Sequence, residues 1–408
     1  MLANYITIAL RSFLKKPIFS LINIVGLSIG IAVFVLILQF VSFEQSVNKF
    51  HKNLDSIHRV MFESKTEQVY EFSAPTVGQI AKQNFPEVLN FCRVVDQSFV
   101  GGVVSVPDQL KNTAFSETKV AYADGNFFDV FTFPIAHGSG ESLKEPNTIA
   151  ISSSAAKKYF KQQEALGKTL TVNNEFGSNL YKVIAVFKDF PANSDLQYDF
   201  VLSLQTLASP VIMKDNSWAS LDGNSSYLTT YLTLNVNVDP TSLEQKINQF
   251  KATLDPASDE KILLQPLTYM HLAKSFSDTQ VHTGNLGFVY LLSAIAILIL
   301  IIGWFNYINL STATSLKRAK EVGLRKVAGA SRYQLVTQFL GESFLINLVS
   351  FFLALVLVNV FQFFFNQLLG KNLSLGILAS STIWLWGLLL IIFGTVASGI
   401  YSAFVLTS

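Results

Sequence analysis

The sequence predicts a membrane protein with four transmembrane α-helices and a large α+β extracytoplasmic domain set between the first and second of them. Three observations carry this expectation: four long runs without charge, an uneven placement of Lys and Arg, and a central stretch of ordinary globular composition. The runs are Ile18 to Phe43, Thr279 to Leu316, Ser343 to Gly370 and Asn372 to Ser408. They occupy 129 of the 408 residues, so all 30 Lys+Arg and 28 Asp+Glu fall in the other 279. Charge there approaches the roughly 25% of a soluble domain, against 14% for the whole chain. A single soluble domain is therefore excluded. A disordered chain is excluded too, because 35 Phe and 50% hydrophobic residues can bury enough surface to offset the ordering entropy. A net charge of +2 predicts no nucleic-acid partner.

Each run exceeds the roughly 20 helical residues that cross a hydrocarbon core of about 30 Å. The first is too long for the h-region of a cleaved signal peptide and runs into Phe43-Glu44-Gln45, so it reads as an uncleaved anchor. Lys and Arg near helix ends set orientation. Arg11, Lys15 and Lys16 stand in residues 1–17 without an acid. Lys317, Arg318, Lys320, Arg325, Lys326 and Arg332 face a single Glu321 in 317–332. Both segments are expected in the cytoplasm, as is the C-terminus, while 44–278 and the turn around Lys371 lie outside. The expected order is a cytoplasmic amphipathic segment at 1–17, spans at 18–43, 286–312, 337–366 and 381–405, an outer domain at 44–282, a cytoplasmic helix in 313–332 and an outer turn at 367–380.

Within the outer domain, Ser56 to Phe62 alternates as a strand, Ala74 to Phe85 has helical spacing before Pro86, and Asn90 to Val95 is a short apolar strand. A second such unit follows in Tyr227 to Val238, a helix opened by Pro240 and running to Leu254, and a strand at Lys261 to Leu267. Two β-α-β units suggest a ferredoxin-like subdomain with an inserted mixed α/β subdomain at about 105–220. In the insert, Thr148 to Ile151 and Tyr181 to Phe187 read as strands, and Ser153 to Phe160 as a helix with Ser152 near its N-cap.

Catalytic chemistry has no residues to stand on. No G-x-x-x-x-G-K-[ST] run exists, so ATP-driven work needs a partner, and no cofactor is expected in this chain. His51, His58, His137, His271 and His282 lack metal-ligand spacing, and no metal site is expected. Asp189, Asp195 and Asp199 lack the calcium-loop arrangement and read as a solvated turn. No G-x-S-x-G elbow appears, so no catalytic residue is named. Cys92 is alone and reads as a buried free thiol.

The spans are more telling. Gly26 and Gly30 lie one turn apart, a small-xxx-small pattern that admits a close neighbouring helix, although composition alone also produces such pairs. Asn306 and Asn309 share a face of the second span, which is expected to meet another helix. Drawn as a helix, Glu321 to Ser331 and the residues before it place Leu316, Ala319, Gly323, Val327 and Ala330 on one face. Lys317, Arg318, Glu321 and Arg325 fall on the other. That pattern fits a docking element or a membrane-surface connector whose cations enforce topology.

NYINLSTATSLKRAKEVGLRKVAGASRYQLVTQFLGES, Asn306 to Ser343, resembles the signature of the ABC transporter permeases of the MacB and FtsX type. NKFHKNLDSIHRV (Asn48 to Val60), YADGNFFDVFTFP (Tyr122 to Pro134), Glu145 to Gly167 and SGIYSAFVL (Ser398 to Leu406) are similar to other parts of that family. The resemblance implies a MacB-like outer core domain and a mechanotransmission permease in a bacterial inner membrane, with both termini cytoplasmic. Two ATPase subunits would bind a dimer of permeases, through a coupling helix at Lys317 to Ala330. Lys317, Arg318, Glu321, Gly323, Arg325, Lys326 and Gly329 would mark the coupling surface. Export or efflux of an antibiotic, peptide or lipoprotein is implied, or control of a cell-envelope hydrolase. Partners would be a separate ATPase, a second permease copy in a homo- or heterodimer, membrane lipid, and a periplasmic adaptor or outer-membrane component. Many relatives continue into a second copy of the unit, so a half-length permease or the first half of a longer one is expected. A membrane-anchored sensor is the competing reading from another class, and the short cytoplasmic segments leave it no signalling domain.

Overall fold

A computed structural model describes residues 17–66, 68–107, 114–161, 164–272, 284–313, 324, 327, 329, 331–371, 373, 384, 385 and 387–397. The chain divides into a helical unit, Met1–Phe43 with Gly287–Ser408, and an outer unit, Glu44–Leu286.

In the helical unit, three helices are long and apolar enough to cross a membrane among the described residues: Pro17–Ser46, Leu286–Ala313 and Arg332–Leu369. Leu27, Ile31 and Leu36 on the first pack with Leu300 and Trp304 on the second and with Phe351, Ala354 and Val358 on the third. Ile18, Leu21, Ile22, Val25 and Ile29 are exposed, as the lipid-facing stripe of such a helix is. The third helix starts before the span expected at 337–366. Ser331 accepts from the Gln334 amide while the Gln334 side chain accepts from the Ser331 amide, a capping box that fixes the start. It ends at Gly370, whose φ of +62° suits a residue without Cβ. Of the span expected at 381–405, the described residues include the apolar helix Gly387–Ala397. The cytoplasmic segment expected at 1–17 and most of 313–332 lie outside the described residues.

The outer unit is built on one continuous sheet. Its strands are β1 Ile57–Glu63, β2 Val69–Tyr70, β3 Phe72–Ser73, β4 Val88–Val95, β5 Gly102–Ser105, β6 Ala114–Glu117, β7 Val120–Ala123, β8 Ile135–Gly138, β9 Thr148–Ser152, β10 Thr169–Asn174, β11 Gly177–Phe187, β12 Phe200–Ser203, β13 Leu228–Leu234 and β14 Lys261–Pro266. Their order is β14-β1-β13-β4-β7-β12-β9-β11-β10-β5-β6, with β2, β3 and β8 beside β1, β13 and β11. In the first four strands every neighbour is antiparallel, so the two β-α-β units interleave: β13 lies between β1 and β4, and β1 between β13 and β14.

The crossover helices, Val77–Asn84 and Pro240–Leu254, share a core with this part of the sheet, formed by Val60, Phe62, Ala81, Phe85, Leu232, Leu243, Ile247 and Leu264. Asp239 caps the second, accepting from Thr241 and Ser242, and Pro240 fills the first position where no amide partner is needed. The insert extends the sheet instead of forming a separate one. β4 meets β7 at Val94–Ala123 and Val95–Tyr122, after which β7 runs parallel to β12 and β9 parallel to β11. Ser152 ends β9 and caps the helix Ser153–Phe160, its Oγ accepting from the Ala155 amide at 3.0 Å.

The other side of the sheet carries an aromatic core. Phe127, Phe128, Phe131, Phe133, Phe187 and Tyr231 are buried there, and Phe190 stacks on Phe133 with ring centroids 3.6 Å apart.

Candidate functional site

The first apolar helix continues to Ser46, three residues into the outer unit, and there a polar cluster begins. Glu44 lies in the helix's last turn with its side chain 3% exposed, and no Lys or Arg occupies that turn. A carboxylate at a helix C-terminus meets the negative end of the backbone dipole, so a buried one needs a cation from elsewhere. His271 supplies it. This residue follows β14 and the short helix Leu267–Met270. Its Nε2 lies 3.0 Å from Glu44 Oε2 and its Nδ1 2.6 Å from Asp195 Oδ1. Burial disfavours the charged ring, but the hydrogen bonds and charges of Asp195 and Glu44 outweigh it and push the pKa up to about 9. His271 is therefore an imidazolium at neutral pH, donating from both nitrogens.

Asp195 is held in turn by Asn48. Asn48 Nδ2 donates to Asp195 Oδ2 at 2.8 Å, and the Asp195 amide donates to Asn48 Oδ1 at 3.0 Å. Asn48 has φ +63°, a left-handed conformation that Asn tolerates better than most residues. Its amide donates to Asn193 O at 2.9 Å, and Asn193 Nδ2 donates to Ser46 O at 3.0 Å. The chain returns to the same place at Gly284, two residues before the second apolar helix: a Cβ there would stand 2.5 Å from Glu44 Oε2 and 2.8 Å from His271 Nε2. Segments 227 residues apart, the beginning and the end of the outer unit, are thus tied at one buried ion triad.

Sequence reasoning missed this cluster. Asp195, expected in a solvated turn, is buried with its side chain 4% exposed: its carboxylate accepts from His271 and Asn48, and its backbone amide donates to Asn48 Oδ1. Asp189 and Asp199 are also engaged: Asp189 accepts from the Ser154 amide at 2.9 Å and Asp199 from Ser152 Oγ at 2.8 Å. The available signal was the acid at the edge of a charge-free run, next to the Asn48 motif. His51 sits beside the cluster in sequence but not in chemistry. Phe50, Phe131 and Phe133 surround it, and burial lowers its pKa to about 4, leaving it neutral. Among the described residues no group of three or more His, Cys, Asp or Glu could hold a metal ion.

Of the residues singled out for helix packing, an alanine methyl at Gly26 would stand 3.1 Å from Asn306 Nδ2. One at Gly30 would stand 3.5 Å from Ile299 O and 3.9 Å from Gly303 Cα. The first two apolar helices therefore approach closely along Gly26 and Gly30 within this one chain. Asn309 is exposed. Of the coupling residues, Gly329 is described, in a turn with φ +89° and with nothing among the described residues within 4 Å of an added Cβ. Lys317, Arg318, Glu321, Gly323, Arg325 and Lys326 lie outside the described residues.

The family follows from two matches. Residues 20–250 match the MacB-like periplasmic core domain, and residues 293–408 match the FtsX-like permease C-terminal domain. The chain belongs to the MacB/FtsX family of ABC transporter permeases. This permease is 25% identical over 247 residues to the macrolide export ATP-binding/permease protein MacB of Aggregatibacter actinomycetemcomitans, covering 58% of this chain and 34% of that one. It is 22% identical over 360 residues to the ABC transporter permease YvrN of Bacillus subtilis, which is uncharacterized, covering 83% of this chain and 82% of that one. A crystal structure of the periplasmic region of MacB from Actinobacillus actinomycetemcomitans covers 52% of the permease and 90% of that domain at 14% identity, with a TM-score of 0.38. The permease spans about a third of the length of the first MacB relative.

Proposed function

We propose that this permease works with a separate ATPase, and that ATP binding and hydrolysis move its spanning helices and through them the outer unit. The observation that carries the reading is the order of parts. A MacB-like core domain stands between the first two apolar helices, an FtsX-like domain follows, and no phosphate-binding loop occurs in the 408 residues. The ATP-hydrolysing site must then come from other residues, docked on the basic segment at 317–332. Four spans, with 381–405 as the fourth, would sit in an inner membrane, both termini on the cytoplasmic side, with a ferredoxin-like subdomain and its insert outside. A second permease copy would complete the transporter. Export of an antibiotic, peptide or lipoprotein fits such a device, macrolide export being the named role of its MacB relatives.

The test is co-purification in mild detergent with the Walker-motif ATPase encoded beside this gene, comparing wild type with a Glu321→Lys, Arg325→Glu double reversal. Recovery of the ATPase with wild type and its loss with the reversal is the expected result. An ATPase that never binds wild type sinks the reading.

A further inference from the structure

We propose that Glu244, Asn248 and Lys251 stand in for a missing strand beside β14 and so keep the outer sheet from pairing edge to edge with a second copy of this chain. β14 is the end strand of the sheet: β1 pairs along one side of it, and among the described residues no strand pairs along the other. Such an edge turns alternate N–H and C=O groups outward, a template for a strand of another chain. Its middle is the apolar run Ile262-Leu263-Leu264, the composition that self-pairs most readily. Lys261 and Pro266 blunt its two ends and leave that middle open.

The helix Pro240–Leu254 supplies what the middle lacks. Asn248 Oδ1 accepts from the Ile262 amide at 2.8 Å, and Asn248 Nδ2 donates to Ile262 O at 2.8 Å. One carboxamide thus makes both bonds that a facing residue makes in an antiparallel ladder. Glu244 Oε1 accepts from the Leu264 amide at 2.6 Å, and Lys251 Nζ donates to Glu260 O at 2.6 Å. The three helix residues are spaced i, i+4 and i+7 along one flank, and their partners Leu264, Ile262 and Glu260 descend the strand by twos. The steps agree, because four helical residues advance about 6 Å and two strand residues about 6.8 Å. Ile262 and Leu264 share a core with Leu243 and Ile247, which fixes the helix over the strand. Asn is a weak helix former, so the edge explains Asn248 better than the helix does. A second β14 arriving antiparallel would set Ile262 against Leu264, Leu263 against Leu263 and Lys261 against Gln265. No like charges oppose that pairing, and the side chains of the helix are what stands in its way.

Self-cross-linking of the full chain in mild detergent tests this. Leu263→Cys places a thiol opposite its own copy in that register, at a Cα spacing of about 4.5 Å that a disulfide can span. Cys92 is buried and stays out of the reaction. In the Leu263→Cys chain, adding Glu244→Ala and Asn248→Ala should raise dimer formation under a mild oxidant by about tenfold or more, each freed pairing position being worth roughly fivefold. Lys261→Cys, which faces Gln265 in the same register, should rise far less with the same two substitutions. A Leu263→Cys chain that cross-links no faster without the two side chains, while its circular dichroism spectrum is unchanged, overturns the proposal. An equal rise at Lys261→Cys overturns it too, since association is then non-specific. Should the double variant lose its fold, Asn248→Ala alone decides by the same comparison: a rise of about fivefold is expected, and no rise overturns the proposal.

Discussion

The two units of this permease are held by different chemistry. The outer unit buries charge and pairs it: Arg59 with Glu71 and Gln265, Arg93 with Asp124, and His271 between Glu44 and Asp195. The helical unit buries amides, hydroxyls and an indole; among the described residues, buried polar atoms without a hydrogen-bond partner occur there at Asn23, Gln39, Trp304 Nε1, Asn347 Oδ1 and Thr395 Oγ1, and in the outer unit at Asn126 Oδ1, Ser194 Oγ, Ser203 Oγ and Thr233 Oγ1. A buried ion pair is satisfied in few geometries, so it fixes one arrangement of the elements that supply it. Apolar faces and lone amides slide at less cost.

Glu71→Gln leaves Arg59, whose side chain is 0% exposed, without its carboxylate. Removing one partner of a buried pair costs about 3–5 kcal/mol. Denaturant unfolding followed by Tyr and Trp fluorescence should show that loss. Asn347→Ala, which gives up one hydrogen bond to Ser343 O, should cost about 1 kcal/mol in the same assay. Equal losses would erase the contrast between the units.

A smaller effect, about 1–3 kcal/mol, is expected at Gly102→Ala. A methyl there would stand 2.1 Å from Asn173 O on β10, and that backbone atom is fixed by the pairing of β5 with β10. Circular dichroism melting of the purified chain reads the drop.

The pH dependence of the outer unit should fall away on both sides of neutrality for opposite reasons. His271 binds its proton more tightly folded than unfolded, with a folded pKa of about 9 against 6.5, so its contribution is complete below pH 6.5 and is lost as pH rises through 9. His51 is the reverse case. Its folded pKa of about 4 means that its contribution is complete above pH 6.5 and is lost as pH falls toward 4. Each slope should amount to about 1–2 kcal/mol once solvent screening is allowed for. Melting temperature against pH, in wild type, His271→Gln and His51→Phe, checks the signs: each variant should flatten one limb and spare the other.

Much of the fold was legible in the sequence, because its signals are local. Alternation gave β1, the N-cap Ser152 gave the helix behind it, and Pro240 opened its helix at the expected residue. The continuity of the sheet was not legible, since β4 and β7 join through two residue pairs only and two pairs leave no periodicity to read. The site was less legible still. Glu44, Asp195 and His271 come from three distant segments, and each alone has a bland reading: a span edge, a polar turn, a stray histidine. What unites them is burial, and burial of a polar residue is a property of the fold. The Gly26–Gly30 spacing was legible as a place for close approach, but the sequence could not say that the partner is the second apolar helix of the same chain.

A small-xxx-small pattern is commonly read as demanding glycine, and in the outer unit Gly102 does demand it. Gly30 does not: its added Cβ would meet Ile299 O at 3.5 Å and Gly303 Cα at 3.9 Å, which is ordinary van der Waals contact. Gly30→Ala should therefore change stability by less than about 0.5 kcal/mol, because the filled contact and the better helix propensity of alanine offset any small adjustment. Gly30→Leu adds atoms where the helices already touch and should cost about 1–3 kcal/mol. Melting both variants in the same detergent decides the matter. A bundle that accepts the methyl and resists the larger side chain is held by shape at that crossing. One that fails with alanine would be as tightly specified as the outer unit, and the contrast between the two would then rest on charge alone.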